Sequence, residues 1–161
     1  MISQKLVLAR GLPGSGKSTF AERLVEAINR IRPDKATHHE NDQFHMVGGK
    51  YCFDKDRQAD AVLECKEKTV KDLIAGRTVV VSNVFVSGYT LGWYLNVAKS
   101  LGIPAVILRM DQQFPGIHNV PENVFKSMKE NFQDIDGEIF VKADGDDYTF
   151  SVFHDDVEVL A

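Results

Sequence analysis

An α/β fold, a doubly wound and mostly parallel sheet flanked by helices, is what this sequence predicts. Three observations carry that prediction. Short apolar runs rich in β-branched residues alternate with longer stretches whose apolar residues recur at helical spacing. The first of these runs passes directly into a glycine-rich turn that opens a helix. The 161 residues, 43% of them apolar, suit a single core, and strands joined by helical crossovers pair in parallel within one sheet.

The elements follow in order. Lys5-Leu-Val-Leu-Ala-Arg10 reads as a buried strand that stops at glycine. From Ser18 onward, Phe20, Leu24, Ala27, Ile28 and Ile31 mark a helix that Pro33 ends. Lys35 to His39 reads as a short second strand, and Glu40-Asn-Asp-Gln-Phe-His45 lies at its exit, where open α/β sheets place their ligands. Residues 46–55, with Gly48 and Gly49, read as a loop. Asp56 to Ile74 is expected to be a helix with Ala59, Val62, Leu63, Val70, Leu73 and Ile74 on its apolar face, capped by Asp54 or Asp56 and stopped by Gly76. Thr78-Val-Val-Val-Ser82 is the clearest strand. Residues 89–101 predict a helix ending at Gly102, and Pro104 to Arg109 another strand. A loop from Asp111 to Val120 leads to Pro121, suited to the first turn of a helix running to about Phe132.

The tail breaks this alternation. Glu138 to Val141 and Tyr148 to Phe153 alternate apolar and polar residues around Ala143-Asp-Gly-Asp-Asp147, which predicts a C-terminal β-hairpin appendage. The expected organisation is a main domain over 1–135 and an acidic hairpin extension of that domain over 136–161.

Charge sorts the partners. Residues 1–135 carry 18 Lys and Arg against 15 Asp and Glu, net +3, whereas residues 136–161 carry one Lys against eight acids, net −7. A mildly basic body can take a phosphorylated ligand but lacks the cationic field that long duplex nucleic acid requires. No apolar run approaches 18 residues, so no membrane contact is expected and a cytoplasmic location is. Cys52 and Cys65 are too few for a disulfide framework and read as buried or half-buried thiols. His38, His39 and His45 match no standard metal-ligand spacing, and Asp144-Gly-Asp-Asp147 misplaces the glycine of a calcium loop.

Gly11-Leu-Pro-Gly-Ser-Gly16-Lys-Ser-Thr19 matches the Walker A pattern completely. Its glycines let the backbone curl until successive N–H groups point at phosphate oxygens, and the positive end of the following helix adds to the field. The expected nucleotide-binding set is Gly11, Pro13, Gly14, Ser15, Gly16, Lys17, Ser18 and Thr19, with Lys17 reaching the β- and γ-phosphates of ATP and the Ser18 hydroxyl offered to Mg²⁺. A carboxylate at the exit of the second strand would face the γ-phosphate, where Asp42 can accept a proton from an attacking hydroxyl.

The order of motifs over residues 5 to about 133 resembles the P-loop kinases related to bacteriophage 5′-hydroxyl polynucleotide kinase. That order is the Walker A strand, Asn41-Asp42-Gln43-Phe44, Tyr51-Cys-Phe-Asp54, a helix, Val79-Val-Val-Ser-Asn83, and Ile117-His-Asn-Val-Pro121 before an amphipathic helix. The resemblance implies a phosphotransferase in which Lys17 and Ser18 hold ATP and Mg²⁺ and Asp42 is the general base. It puts His45 where the family usually carries an Arg for the acceptor, and Ser82-Asn83 where it usually carries an Asp-containing strand end, so that Asn83 falls in the substrate site. It also implies a lid Arg, but residues 110–121 contain none. Arg109, at the ligand end of its strand, is the expected substitute, ahead of Lys126 and Lys129. The acceptor expected is a nucleic-acid 5′ end, a nucleoside or a nucleotide, with a small hydroxyl metabolite as the alternative. A further alternative is a nucleotide-binding module with weakened catalysis that contacts a protein partner through the acidic hairpin.

Overall fold

The computed structural model describes residues 3–41, 46, 47, 50, 51, 55–115, 120–144, 149–154 and 157–160. Strands β1 (Leu6–Arg10), β2 (Ala36–His39), β5 (Thr78–Asn83), β6 (Ala105–Arg109) and β7 (Ile139–Asp144) form the parallel part of one sheet, which β8 (Thr149–His154) and β9 (Val157–Leu160) continue antiparallel. The order is β2-β5-β1-β6-β7-β8-β9, with β1 inside the parallel part. Helices α1 (Lys17–Ile31), α2 (Lys55–Ile74), α3 (Gly88–Leu101) and α4 (Glu122–Asn131) supply crossovers between the parallel strands.

Alternation along β1 explains the two layers. Leu6 and Leu8 join Val79, Val81, Cys65, Leu73, Leu91 and Tyr94 on one face, whereas Val7 and Ala9 join Val80, Phe20, Ala21, Leu108 and Val141 on the other. Successive side chains of a strand point to opposite faces, so a strand buried on both sides reads as one continuous apolar run. All five residues of β1 are buried, including the charged Arg10.

Four details differ from the sequence reading. The stretch read as a loop over 46–55 contains two short antiparallel strands, β3 (Met46–Val47) and β4 (Lys50–Tyr51), and the first residue of α2. The buried seam of α2 is Ala61, Cys65, Thr69 and Leu73, four residues apart, while Leu63 and Ile74 are exposed. Thr69 joins that seam because its hydroxyl donates to the Cys65 carbonyl at 2.7 Å, which removes the cost of burying it. The C-terminal hairpin is joined to the main sheet through β7, paired in parallel with β6, and it gains a third strand, β9.

Helix ends follow the expected chemistry. Gly102 ends α3 at φ 68°, and Gly76 follows α2 at φ 86°, a region that costs glycine least. The Asn29 side chain ties the end of α1 to β2 by accepting from the Lys35 and Ala36 amides and donating to the Ala36 carbonyl. The cap at Asp54 and the turn at 145–147 lie outside the described residues. No helix among the described residues is long and apolar enough to cross a membrane.

Candidate functional site

Strand β1, the turn over 11–16 and α1 build the centre of the site. Gly14 and Gly16 have φ of 82° and 87°, and Gly16 caps α1 in the left-handed region. Gly11 is required for a different reason: a Cβ there would lie 2.4 Å from Ser15 Oγ and 2.7 Å from the Met110 carbonyl oxygen. The Ser15 amide closes the turn on the Leu12 carbonyl at 3.1 Å, and the Lys17 ammonium donates to the same carbonyl at 3.4 Å. Ser15 Oγ is buried with no hydrogen-bond partner among the described residues.

The segment after β6 folds back onto this turn. Gln113 donates from Nε2 to the Pro13 carbonyl at 2.9 Å, and the Phe114 amide donates to the Gly14 carbonyl at 2.9 Å. Gln112 anchors the same segment to β7 by exchanging two hydrogen bonds with the Ala143 backbone. The beginning of the expected lid is thus fixed at both sides, while residues 116–119 lie outside the described residues.

On the opposite side of the turn, a polar chain links β2, β5 and α1. The Ser18 hydroxyl donates to Glu40 Oε2 at 2.6 Å, and the Ser82 hydroxyl reaches the same oxygen at 3.0 Å. His38 Nε2 stands 2.6 Å from Ser82 Oγ. Burial pushes His38 below its ordinary range, against the opposing pull of the Glu40 carboxylate. Asn83 Oδ1 accepts the Asn41 amide at 2.8 Å, so the end of β5 fixes the backbone immediately before Asp42. Asp42 and His45 themselves lie outside the described residues.

Arg109 is paired in register with Arg10 at the ligand end of the sheet. Its guanidinium donates to Asp111 and Glu138 at 2.8 Å and to Asp134, and it lies over the rings of Phe132 and Phe140. Partial burial disfavours the charged form, but these three hydrogen bonds outweigh it and hold the pKa above the ordinary arginine value. Arg10 is fully buried and donates to the other oxygen of Glu138 at 2.7 Å and to the Phe85 and Gln133 carbonyls. Glu138 therefore clamps both arginines, one with each oxygen. Leu12, Arg109, Met110, Asp111, Gln112, Lys129 and Phe132 line a cleft of about 250 Å³ beside the turn. A larger apolar groove of about 470 Å³, lined by Leu63, Lys66, Val70 and Trp93 among others, carries none of the phosphate-binding residues.

Two site residues escape the sequence reading. Glu40 is legible only as part of the segment at the ligand end of its strand, because its contact with Ser18 depends on the order of the strands. Arg10 does give a local signal, as a charge closing an otherwise apolar strand directly before a glycine turn.

A parallel sheet whose inner strand runs through a glycine turn into a helix opening with Lys-Ser defines a phosphate-binding-loop α/β protein. Residues 6–114 match the model of the AAA domain family (AAA_33), and the chain belongs to that family. It is 30% identical over 137 residues to uncharacterized protein PM0531 of Pasteurella multocida (strain Pm70), an alignment covering 78% of this chain and 74% of that protein. Among solved structures, a gluconokinase from Sinorhizobium meliloti 1021 has TM-score 0.60 and 15% identity, covering 88% of this chain and 83% of its own. The Mycobacterium tuberculosis APS kinase CysC in complex with AMPPNP and APS has TM-score 0.56 and 18% identity, with 87% and 90% covered. A chain of the Pnkp1/Rnl/Hen1 complex has TM-score 0.52 and 19% identity, with 79% and 39% covered.

Proposed function

We propose that this protein is an ATP- and Mg²⁺-dependent phosphotransferase that moves the γ-phosphate of ATP to a hydroxyl of a nucleic-acid 5′ end, a nucleoside or a nucleotide. The observation that carries the reading is the turn over 11–16, with two left-handed glycines, a lysine at the first helical position and a serine at the second. This donor set suits a polyphosphate: backbone amides and the positive end of α1 face anionic oxygens, and Lys17 adds a full charge. The Ser18 hydroxyl beside a carboxylate suits Mg²⁺, a hard cation that takes oxygen ligands. When bound, that ion would neutralise charge on the β- and γ-phosphate oxygens.

The chain's own residues have three tasks. Lys17 and the turn amides bind and orient the triphosphate. Asn83 fixes the Asn41 backbone, and Asp42, the next residue, is assigned as the base that takes the acceptor hydroxyl proton as its oxygen attacks phosphorus. The cleft beside Leu12, with the Phe132 ring on its wall, is of a size to take a nucleobase.

The state of Arg109 favours a second acceptor class. With Asp111, Asp134 and Glu138 on its guanidinium, it is heavily compensated before any phosphate arrives. A small uncharged hydroxyl acceptor needs less cation than a nucleic-acid end, whose flanking phosphate must also be held. Of the relatives by fold, two bear the names of a gluconokinase and an APS kinase, and a third belongs to a Pnkp1 complex.

The test is direct. Lys17→Ala is expected to lower ATP affinity at least tenfold by calorimetry, whereas Asp42→Asn should bind ATP as wild type does and lose at least 100-fold in transfer to whichever hydroxyl acceptor the wild type uses. Radiolabelled ATP offered with a 5′-hydroxyl oligonucleotide or with a pool of small hydroxyl metabolites separates the two acceptor classes. Transfer undiminished in Asp42→Asn rules out the assigned base.

A further inference from the structure

P-loop proteins hold Mg²⁺ between the hydroxyl that follows the loop lysine and a carboxylate from a strand of the sheet. Here the strand next to β1 on that side is β5, and it ends in Ser82 and Asn83, both neutral. The carboxylate that reaches Ser18 comes from one strand further out. Glu40, directly after β2, extends across the end of β5 to accept from Ser18 at 2.6 Å and from Ser82 at 3.0 Å. Ser82 is small and 1% exposed, so it supports this carboxylate from below without displacing it.

The electrostatics make a purely structural Glu40 costly. A triphosphate bound along the turn would bring several negative charges close to the carboxylate, and like charges a few ångströms apart repel, more strongly at a partly buried site than in bulk water. A divalent cation between them reverses that sign. The Ser18 hydroxyl is the atom both partners would share.

We propose that Glu40 supplies the carboxylate of the Mg²⁺ site opposite Ser18, acting through the hydration shell of the ion, and that Ser82 and His38 orient it. The role belongs to the end of β2, which leaves β5 without an acid. The inference rests on the nucleotide-binding reading above and adds the residue that makes binding depend on metal.

ADP and Mn²⁺ separate this claim from the reading it rests on. ADP affinity is measured by calorimetry in EDTA, and Mn²⁺ affinity of the protein–ADP complex by electron paramagnetic resonance. Glu40→Gln, which keeps the shape of the side chain, should bind ADP in EDTA within about twofold of wild type and bind Mn²⁺ at least tenfold more weakly, the usual scale for a lost partner around a metal. Adding Ser82→Asp to Glu40→Gln returns a carboxylate from the neighbouring strand and should restore most of that loss.

Equal Mn²⁺ affinity in wild type and Glu40→Gln overturns the proposal while leaving nucleotide binding intact. So does a loss that Ser82→Asp fails to restore, which would assign it to a shifted loop. A Glu40→Gln protein that no longer binds ADP in EDTA overturns it too, since Glu40 would then act without the metal. No ADP binding by wild type, with or without Mn²⁺, removes the phosphotransferase reading itself.

Discussion

Gly11 shows how little room the phosphate loop has. A methyl group there meets Ser15 Oγ, which could turn away, but also the Met110 carbonyl, which belongs to the backbone leaving β6 and cannot. Overpacking of this kind costs about 1–3 kcal/mol. Gly11→Ala is therefore expected to lower unfolding free energy by about that amount in urea titration and to weaken ATP binding, because the strain falls on the loop that holds it. A variant with wild-type stability and affinity would show that the Met110 segment yields. At this scale, whatever lay within one continuous stretch was legible beforehand: the glycines, Lys17 and Ser18 announce their chemistry by spacing alone. Glu40 did not. It is 22 residues from Ser18 in sequence, and nothing local says that β5 will lie between their strands.

Among the elements, strand and helix periodicities were readable, and most boundaries fall within a residue or two of where they were expected. The face of α2 was not. Counting aliphatic residues favours Leu63 and Ile74, but the helix sits on β5 and β2 through a narrow seam where Ala61, Cys65 and Thr69 allow close approach. Strands of two residues, such as β3 and β4, are too short to have a period at all. Contacts between α2 and β2 are also polar. Asp72 accepts from Thr37 at 2.8 Å, pairs with His39 at 2.7 Å, and is held by Arg77 on its other oxygen at 2.9 Å. Burial raises the Asp72 pKa, but these hydrogen bonds and the His39 and Arg77 charges prevail and hold it below the ordinary aspartate value. A depressed carboxylate stabilises the fold above its unfolded pKa, near 4, and that contribution disappears as pH falls through the lower folded value. Asp72→Asn is expected to cost about 2 kcal/mol at pH 7, the worth of a charge-assisted hydrogen bond. Wild type and variant should converge below pH 4 in denaturant titrations, and a gap independent of pH would refute the assignment.

For the molecule as a whole, the acidic tail was legible as a hairpin but not as part of the sheet. Its alternation predicts two strands. It contains no indication that the first, β7, would pair in parallel with β6 or bring Val141 into the core beside Val7. The same blindness hid the clamp on Arg10, whose partner Glu138 is 128 residues away. Glu138 is 4% exposed, and removing one member of a buried ion pair leaves the other charge without compensation, at a cost of about 3–5 kcal/mol. Glu138→Ala is expected to lower stability by that much, in one cooperative transition followed by circular dichroism. A loss below 1 kcal/mol would mean that the Phe85 and Gln133 carbonyls suffice for Arg10.

The Glu138 clamp also sets an order of events during synthesis. The strand that leads into the phosphate loop is made 128 residues before Glu138, so its terminal guanidinium lacks the carboxylate that clamps it until that residue has followed. Until then a nascent chain carries Arg10 without that partner, and the pairing that fixes this strand end forms only after the intervening strands and helices have been synthesised.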